Sequence, residues 1–298
     1  AVATLEAMLR PYQDRLTILR RTKPVAASVE ADRIAWVDIL CLDTNEMTRV
    51  KASIVIDATE LGDLLPMVDA PYVVGAETIA GTGEPHAQPE MARPRCVQSF
   101  TYTFAAERRP EGERHVVPQP ESYAQNRARQ PYSLTIEVHG GEIYGEESGH
   151  LSYRVFETMP GTKGGIWTYR RLIDRTLFGG RYPYDVTMIN WPGNDYREAS
   201  IIDQPAAQVA VALQEAKRVS LGFFHWLQTE APAEGMRTGA PELRLRPDVM
   251  GSRPVAIASM RSPMGPRNAS GIQRRSNSYS STSAPSRSSE RVSMRPVG

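Results

Sequence analysis

Two stretches of the 298-residue sequence carry groups whose types and spacing suit chemistry on a bound molecule. The first is Asp57-Ala58-Thr59-Glu60-Leu61-Gly62-Asp63. Small residues and a glycine directly after an apolar run let backbone approach a ligand at the carboxyl end of a sheet, where open α/β sheets bind theirs. A carboxylate placed there accepts hydrogen bonds from ribose-type hydroxyls. The same residues also read as a plain helix start, with Thr59 as N-cap and Asp63 an exposed carboxylate one or two turns in. The second stretch is Asn190-Trp191-Pro192-Gly193-Asn194-Asp195-Tyr196. Trp191 and Tyr196 can stack on a planar ring while Asn190, Asn194 and Asp195 hydrogen-bond to it. The structural alternative is a Pro-Gly turn with Trp191 in the core. Glu77 and Asp195 suit proton transfer, but nothing in the sequence fixes their distance from a substrate, so the catalytic residues stay unassigned.

The elements that must position these stretches follow from periodicity. Leu5, Met8, Leu9 and Tyr12 lie at helical spacing, and residues 16–19, 25–29, 34–42 and 50–56 read as successive strands of a meander, with Asp43-Thr44-Asn45-Glu46 as a turn. Ser53-Ile54-Val55-Ile56 is nearly continuously apolar, as in a strand covered on both faces in a parallel sheet. Residues 97–104 alternate, with Gln98, Phe100, Tyr102 and Phe104 on one face. Leu134, Ile136 and Val138 repeat that period, Gly140-Gly141 offers a turn, and residues 154–158 suit another strand. Asp203 suits the cap of a long helix with Pro205 in its first turn, carrying Val209, Ala212, Ala216, Val219, Phe223 and Trp226 inward until Ala231-Pro232.

Composition limits the function classes. With 41% hydrophobic and 23% charged residues the chain is ordinary globular protein. No apolar run approaches the roughly 18 residues of a membrane span. No secretory leader can be read at the start, so the cytoplasm is the default location. Cys41 and Cys96 cannot form a disulfide framework, and neither they nor the five scattered histidines have metal-ligand spacing, so no metal is expected. The net charge of +1 hides an asymmetry. Residues 251–298 hold eight arginines against Glu290, while the rest has 27 basic against 33 acidic side chains. The acidic body argues against nucleic-acid binding there. The Ser/Arg-rich tail, without an apolar period, reads as disordered, its sequence changing abruptly as a frame-shifted end would.

The two stretches carry a family resemblance. Residues 54–64 with Ala70-Pro71-Tyr72-Val73-Val74-Gly75-Ala76-Glu77 resemble the second flavin-contacting segment of bacterial FAD-dependent oxidoreductases with a glutathione-reductase-like Rossmann domain. Ile189-Asn190-Trp191-Pro192-Gly193-Asn194-Asp195-Tyr196 is similar to a signature of a subgroup sometimes labelled xanthan-lyase-related. The resemblance runs from about residue 1 to 251 and implies FAD as cofactor, a small-molecule substrate and hydride or electron transfer to flavin. It implies an α/β fold: an incomplete FAD-binding, Rossmann-like domain of glutathione-reductase type over residues 1–80, a mixed α+β substrate domain over 81–250, and the tail over 251–298. Asp57, Ala58, Thr59, Gly62 and Asp63 would then contact cofactor. Asn190, Trp191, Asn194, Asp195 and Tyr196 would line the substrate or flavin pocket. Glu60 stands where the wider family has glycine, and no Gly-x-Gly-x-x-Gly follows any predicted strand, Gly81-Thr82-Gly83 coming nearest. The chain therefore reads as an internal fragment. The alternative function is a non-catalytic remnant or a binding module whose basic tail contacts RNA or an acidic partner.

Overall fold

The computed structural model describes residues 2–85, 87–138, 149–157 and 165–249. Gly140-Gly141, His86 and the tail from residue 251 fall outside the described residues, as does the last residue of the strand expected over 154–158.

A helix α1 (Val2–Leu9) and one turn of 3-10 helix (Arg10–Tyr12) open the chain. The strand expected over residues 16–19 is absent: this stretch is irregular, with Ile18 and Leu19 exposed. A three-stranded meander follows, made of β1 (Thr22–Glu30), β2 (Arg33–Cys41) and β3 (Met47–Val50), antiparallel throughout. Its turns need left-handed backbone at Ala31 and Asn45, the second within the turn residues predicted. Arg49 grips both oxygens of Asp38 at 2.8 Å and lies 3.7 Å above the Trp36 ring on the outer face.

The meander ends where the buried strand was expected to begin. Residues 51–57 form no strand, and Ile54 and Ile56 are 79% and 82% exposed. The reason lies in pairing, since every strand ladder among the described residues is antiparallel and none includes this run. The only parallel contact among them is the isolated bridge between Thr78 and Gln88. An apolar run becomes a buried strand when neighbours complete its hydrogen bonds and cover its faces. Short helices α2 (Leu64–Met67) and α3 (Ile79–Thr82) follow, α2 packing on β1.

Beyond residue 97 the packing changes. The alternating stretch forms two strands in different sheets, β4 (Phe100–Thr101) and β5 (Phe104–Arg108). After α4 (Tyr123–Arg129) come the hairpin strands β6 (Thr135–Val138) and β7 (Gly149–Ser152), β7 falling before the strand expected at 154–158. Helix α5 (Ile166–Tyr169), β8 (Arg171–Ile173), β9 (Val186–Ile189) and β10 (Asp195–Tyr196) lead to helix α6 (Ala206–Thr229), and β11 (Leu243–Leu245) closes the described chain. One four-stranded sheet has the order β11-β5-β9-β8, and β10 pairs with β4.

The core lies between that sheet and α6. Ala212, Ala216, Val219, Phe223 and Trp226 are buried along α6 as their period predicts, joined by Phe224 and Leu227. Phe224 meets Phe104 of β5 edge-on at 5.3 Å. The helix start differs from expectation. Pro205 is the N-cap, without a side-chain cap bond, and Asp203 sits two residues earlier at φ +55. Its carboxylate instead takes the Tyr72 phenol as partner. No helix among the described residues is long and apolar enough to cross a membrane.

Candidate functional site

The first stretch folds into a loop knotted on its own carboxylate. Asp57 Oδ1 accepts from the backbone N–H and hydroxyl of Thr59 at 2.9 and 2.7 Å, and Oδ2 accepts from the N–H of Leu64 at 3.0 Å. Thr59 Oγ1 in turn accepts from the N–H of Asp63 at 2.6 Å. Asp57 and Thr59 thus hold the amides that open α2, with Gly62 providing the φ +70 that the reversal requires. Ala58 is exposed beside them. The carboxylate of Asp63 has no hydrogen bond among the described residues and is half-buried. Burial first, and then the nearby Asp57 charge, raise its pKa, with Lys23 opposing. The Asp63 carboxylate is thus left open in this loop, beside the small residues Ala58 and Gly62.

The second stretch is held from three sides. Asn194, fully buried, accepts from the Trp191 N–H at 3.0 Å and donates to Ser220 Oγ of α6 at 3.1 Å. Gly193 admits no side chain, since a Cβ there would stand 2.4 Å from the Ser133 carbonyl and 2.9 Å from the Phe223 ring. Gln130 donates to the Asp195 carbonyl at 2.6 Å. Trp191 is 7% exposed and meets Tyr153 edge-on at 5.1 Å, so its indole packs in the core. Tyr196, also buried, packs on Phe100 at 5.3 Å. Within 190–196, then, Trp191 and Asn194 build the turn, and Asp195 and Tyr196 reach the side where β10 meets β4.

At that edge Thr101, Asn190 and Asp195 form a buried polar cluster. The Thr101 hydroxyl lies 3.0 Å from Asn190 Oδ1 and in hydrogen-bond contact with Asp195 Oδ1. A hydroxyl has one proton, so it donates to one of these oxygens at a time. Burial raises the Asp195 pKa, against the hydrogen bond from Thr101, the Arg197 charge and the hydrogen bond from Ser99. When Asp195 carries a proton it can donate to Thr101, leaving the Thr101 hydroxyl to donate to Asn190. Ser99 Oγ stands 3.5 Å from Asp195 Oδ2 on the solvent side.

Ser99 and Tyr196 also line a cavity of about 730 Å³. Its walls come from three separated parts of the chain: Val74, residues 94–99, and residues 196–208. Segment 70–77 reaches it because Gly75, at φ +88, lies flat against Arg93 and Pro94, where a Cβ would come within 2.3 Å of backbone. The Ala76–Arg93 bridge holds this contact. Tyr72 meets Asp203 across the junction, and burial together with that hydrogen bond raises the phenol pKa. The structure therefore brings the segment after the first stretch to the end of the second, while residues 57–63 stay beside the meander and do not line the cavity. The sequence reading missed Gln98, Ser99 and Gln208 as cavity residues. Alternation in 97–104 shows which face Ser99 takes, but no local signal places Gln208 opposite. Glu77 is not among the lining residues. No group of three or more potential metal ligands occurs among the described residues.

Comparison with known proteins adds one finding: a family model described as FAD dependent oxidoreductase matches residues 1–269. No curated protein and no solved structure matches the chain.

Proposed function

The chain belongs to the FAD dependent oxidoreductase family, and from that premise we propose that it serves an enzyme in which FAD accepts hydride or electrons from a small organic substrate. The match over residues 1–269 carries this reading. FAD, when bound, supplies the redox chemistry, and the protein supplies placement and polarity. Asp63 is the residue we assign to a ribose or ribityl hydroxyl of the cofactor, since its carboxylate is half-buried and unpartnered among the described residues. Asp57 and Thr59 act through the loop, holding the amides that set the position of Asp63. Asp195 is suited to hold or accept a proton next to the cavity, with Ser99 between. We further propose a glutathione-reductase-type arrangement for the cofactor domain and membership in the subgroup marked by the 190–196 signature.

A second reading is favoured by one observation. Among the described residues no strand leads through a Gly-x-Gly-x-x-Gly turn into a helix, and Gly81-Thr82-Gly83 instead closes the four-residue helix α3. On this reading the chain is an internal piece that holds FAD only together with further sequence. The visible absorption of the purified chain, after incubation with FAD and removal of unbound ligand, separates the two. Stoichiometric retained flavin supports an autonomous flavoprotein, and its loss in Asp63→Ala supports the assigned contact. A folded chain that retains none supports the second reading.

A further inference from the structure

We propose that the 730 Å³ cavity binds a neutral polyhydroxylated molecule of the sugar type, its C–H face against Val74 and Val97 and its hydroxyls on Gln98, Ser99 and Gln208. The volume falls within the roughly 300–1,000 Å³ of small-molecule sites. Chemistry of the walls selects the class. The side-chain amides of Gln98 and Gln208, in the first turn of α6, have no hydrogen-bond partner among the described residues. Each amide offers both a donor and an acceptor, as a hydroxyl does, whereas an anion uses only donors and a cation only acceptors. The charges around the cavity do not favour an ion. Arg95 and Arg197 among the lining residues are matched in number by Glu198 and Asp203, Arg197 donates to the Pro192 carbonyl at 2.9 Å, and Asp203 is engaged by Tyr72. Apolar side chains together with amides and hydroxyls in one lining suit a ring whose faces are C–H and whose rim is O–H. None of these five residues is among those assigned to the cofactor.

That the bound sugar is the substrate to be oxidised rests on the flavin reading; its binding does not. The test uses the full chain without flavin, titrated calorimetrically with D-glucose, D-galactose, D-mannose and cellobiose, and with sodium gluconate as an anionic comparison. Saturable binding of at least one neutral sugar, stronger than gluconate, is the expected result. Gln98→Leu with Gln208→Leu should weaken it tenfold or more while the circular dichroism spectrum stays unchanged. Both side chains are exposed, so the fold should tolerate the change. No saturable sugar binding by the folded chain, tighter binding of gluconate, or equal binding by the double variant overturns the proposal. Flavin retention on a parallel sample keeps the two claims apart. Sugar binding without retained flavin upholds the cavity and counts against an autonomous flavoprotein, and retained flavin without sugar binding overturns the cavity alone.

Discussion

Among the described residues before Phe100, the buried large apolar side chains are Val37 and Leu64, although Leu5, Met8, Ile18, Leu19, Ile54 and Ile56 occur there too. From Phe100 on, aromatic and aliphatic side chains close into one cluster that joins β5, β9, α6 and β11. The two regions use similar residue types and differ in what those residues touch. In the later one a 24-residue helix lays a continuous apolar stripe on a four-stranded sheet, so each side chain displaces water on several sides. In the earlier one the sheet has three strands, and much of its order comes from backbone ladders, the Asp57 knot and exposed ion pairs such as Arg49–Asp38. Exposed pairs contribute about 0–1 kcal/mol each, whereas fully burying one large apolar side chain contributes about 1.5–3 kcal/mol. Apolar composition makes a core only where topology brings a second layer. The earlier region should therefore open at lower free energy than the later one.

Truncating Phe224 to Ala should produce the largest effect. It removes a fully buried ring against Phe104 and should cost about 3–5 kcal/mol. The four tryptophans make the reading regional, because Trp36 lies in the meander and Trp167, Trp191 and Trp226 in the later core. In a Trp36→Phe background the urea midpoint should fall accordingly, and a loss below about 1 kcal/mol would break the comparison. Asn194→Ala should come next, at about 1–3 kcal/mol, because it leaves the Trp191 N–H and the Ser220 hydroxyl without their partner. Asp57→Ala should cost about 1 kcal/mol and be felt only in the earlier region, as faster hydrogen exchange at the amides of Thr59 and Leu64. If the exchange of Ala216 and Phe223 rises equally, the regions are one cooperative unit.

A smaller effect depends on pH. The Asp195 pKa is raised in the folded state, so that state holds its proton more tightly than the unfolded chain does. The contribution is fully present below the ordinary carboxylate range and is lost as pH rises through the raised folded value. Comparing urea stabilities of wild type and Asp195→Asn from neutral pH downward, the difference should move in favour of wild type. A pH-independent difference would mean that folding leaves the Asp195 pKa unchanged. Ile54→Ser and Ile56→Ser should change stability least, within about 0.5 kcal/mol, as exposed positions do. A loss several times larger would show that in solution these side chains are covered, and would sharpen the comparison by locating the missing layer.

What the sequence revealed follows the same division. The α6 stripe was legible because its period of buried positions is local and its partner sheet is present among the described residues. Residues 53–56 carry as strong an apolar signal as any strand, yet they stand exposed, since a local pattern states a preference for burial and says nothing of the neighbour that would supply it. The alternation in 97–104 is followed only in part: Phe100, Tyr102 and Phe104 are buried, but so is Thr101 of the other face, and Gln98 is exposed. What it could not show is that the stretch serves two sheets, β4 pairing with β10 and β5 with β9 and β11. The site divides similarly. The residues of 57–63 and 190–196 were found by type and spacing. The turn with Trp191 in the core matches the structural alternative for its stretch, whereas the plain helix start does not hold, since α2 begins only at Leu64 with Asp63, half-buried, as its N-cap in place of Thr59. The cavity was not legible, because Val74, Ser99 and Gln208 meet only through long-range packing.

The facing side chains of Tyr72 and Asp203 give the junction a temporal property as well as a shape. They tie the loosely packed stretch to the firm one beside the cavity wall, and the Ala76–Arg93 bridge lies a few residues further along the same strand of chain. Breathing of residues 70–78 should therefore be gated at that clasp. A molecule lodged between Val74 and Gln208 would act as a latch on it, slowing the opening of a segment that the core never reaches.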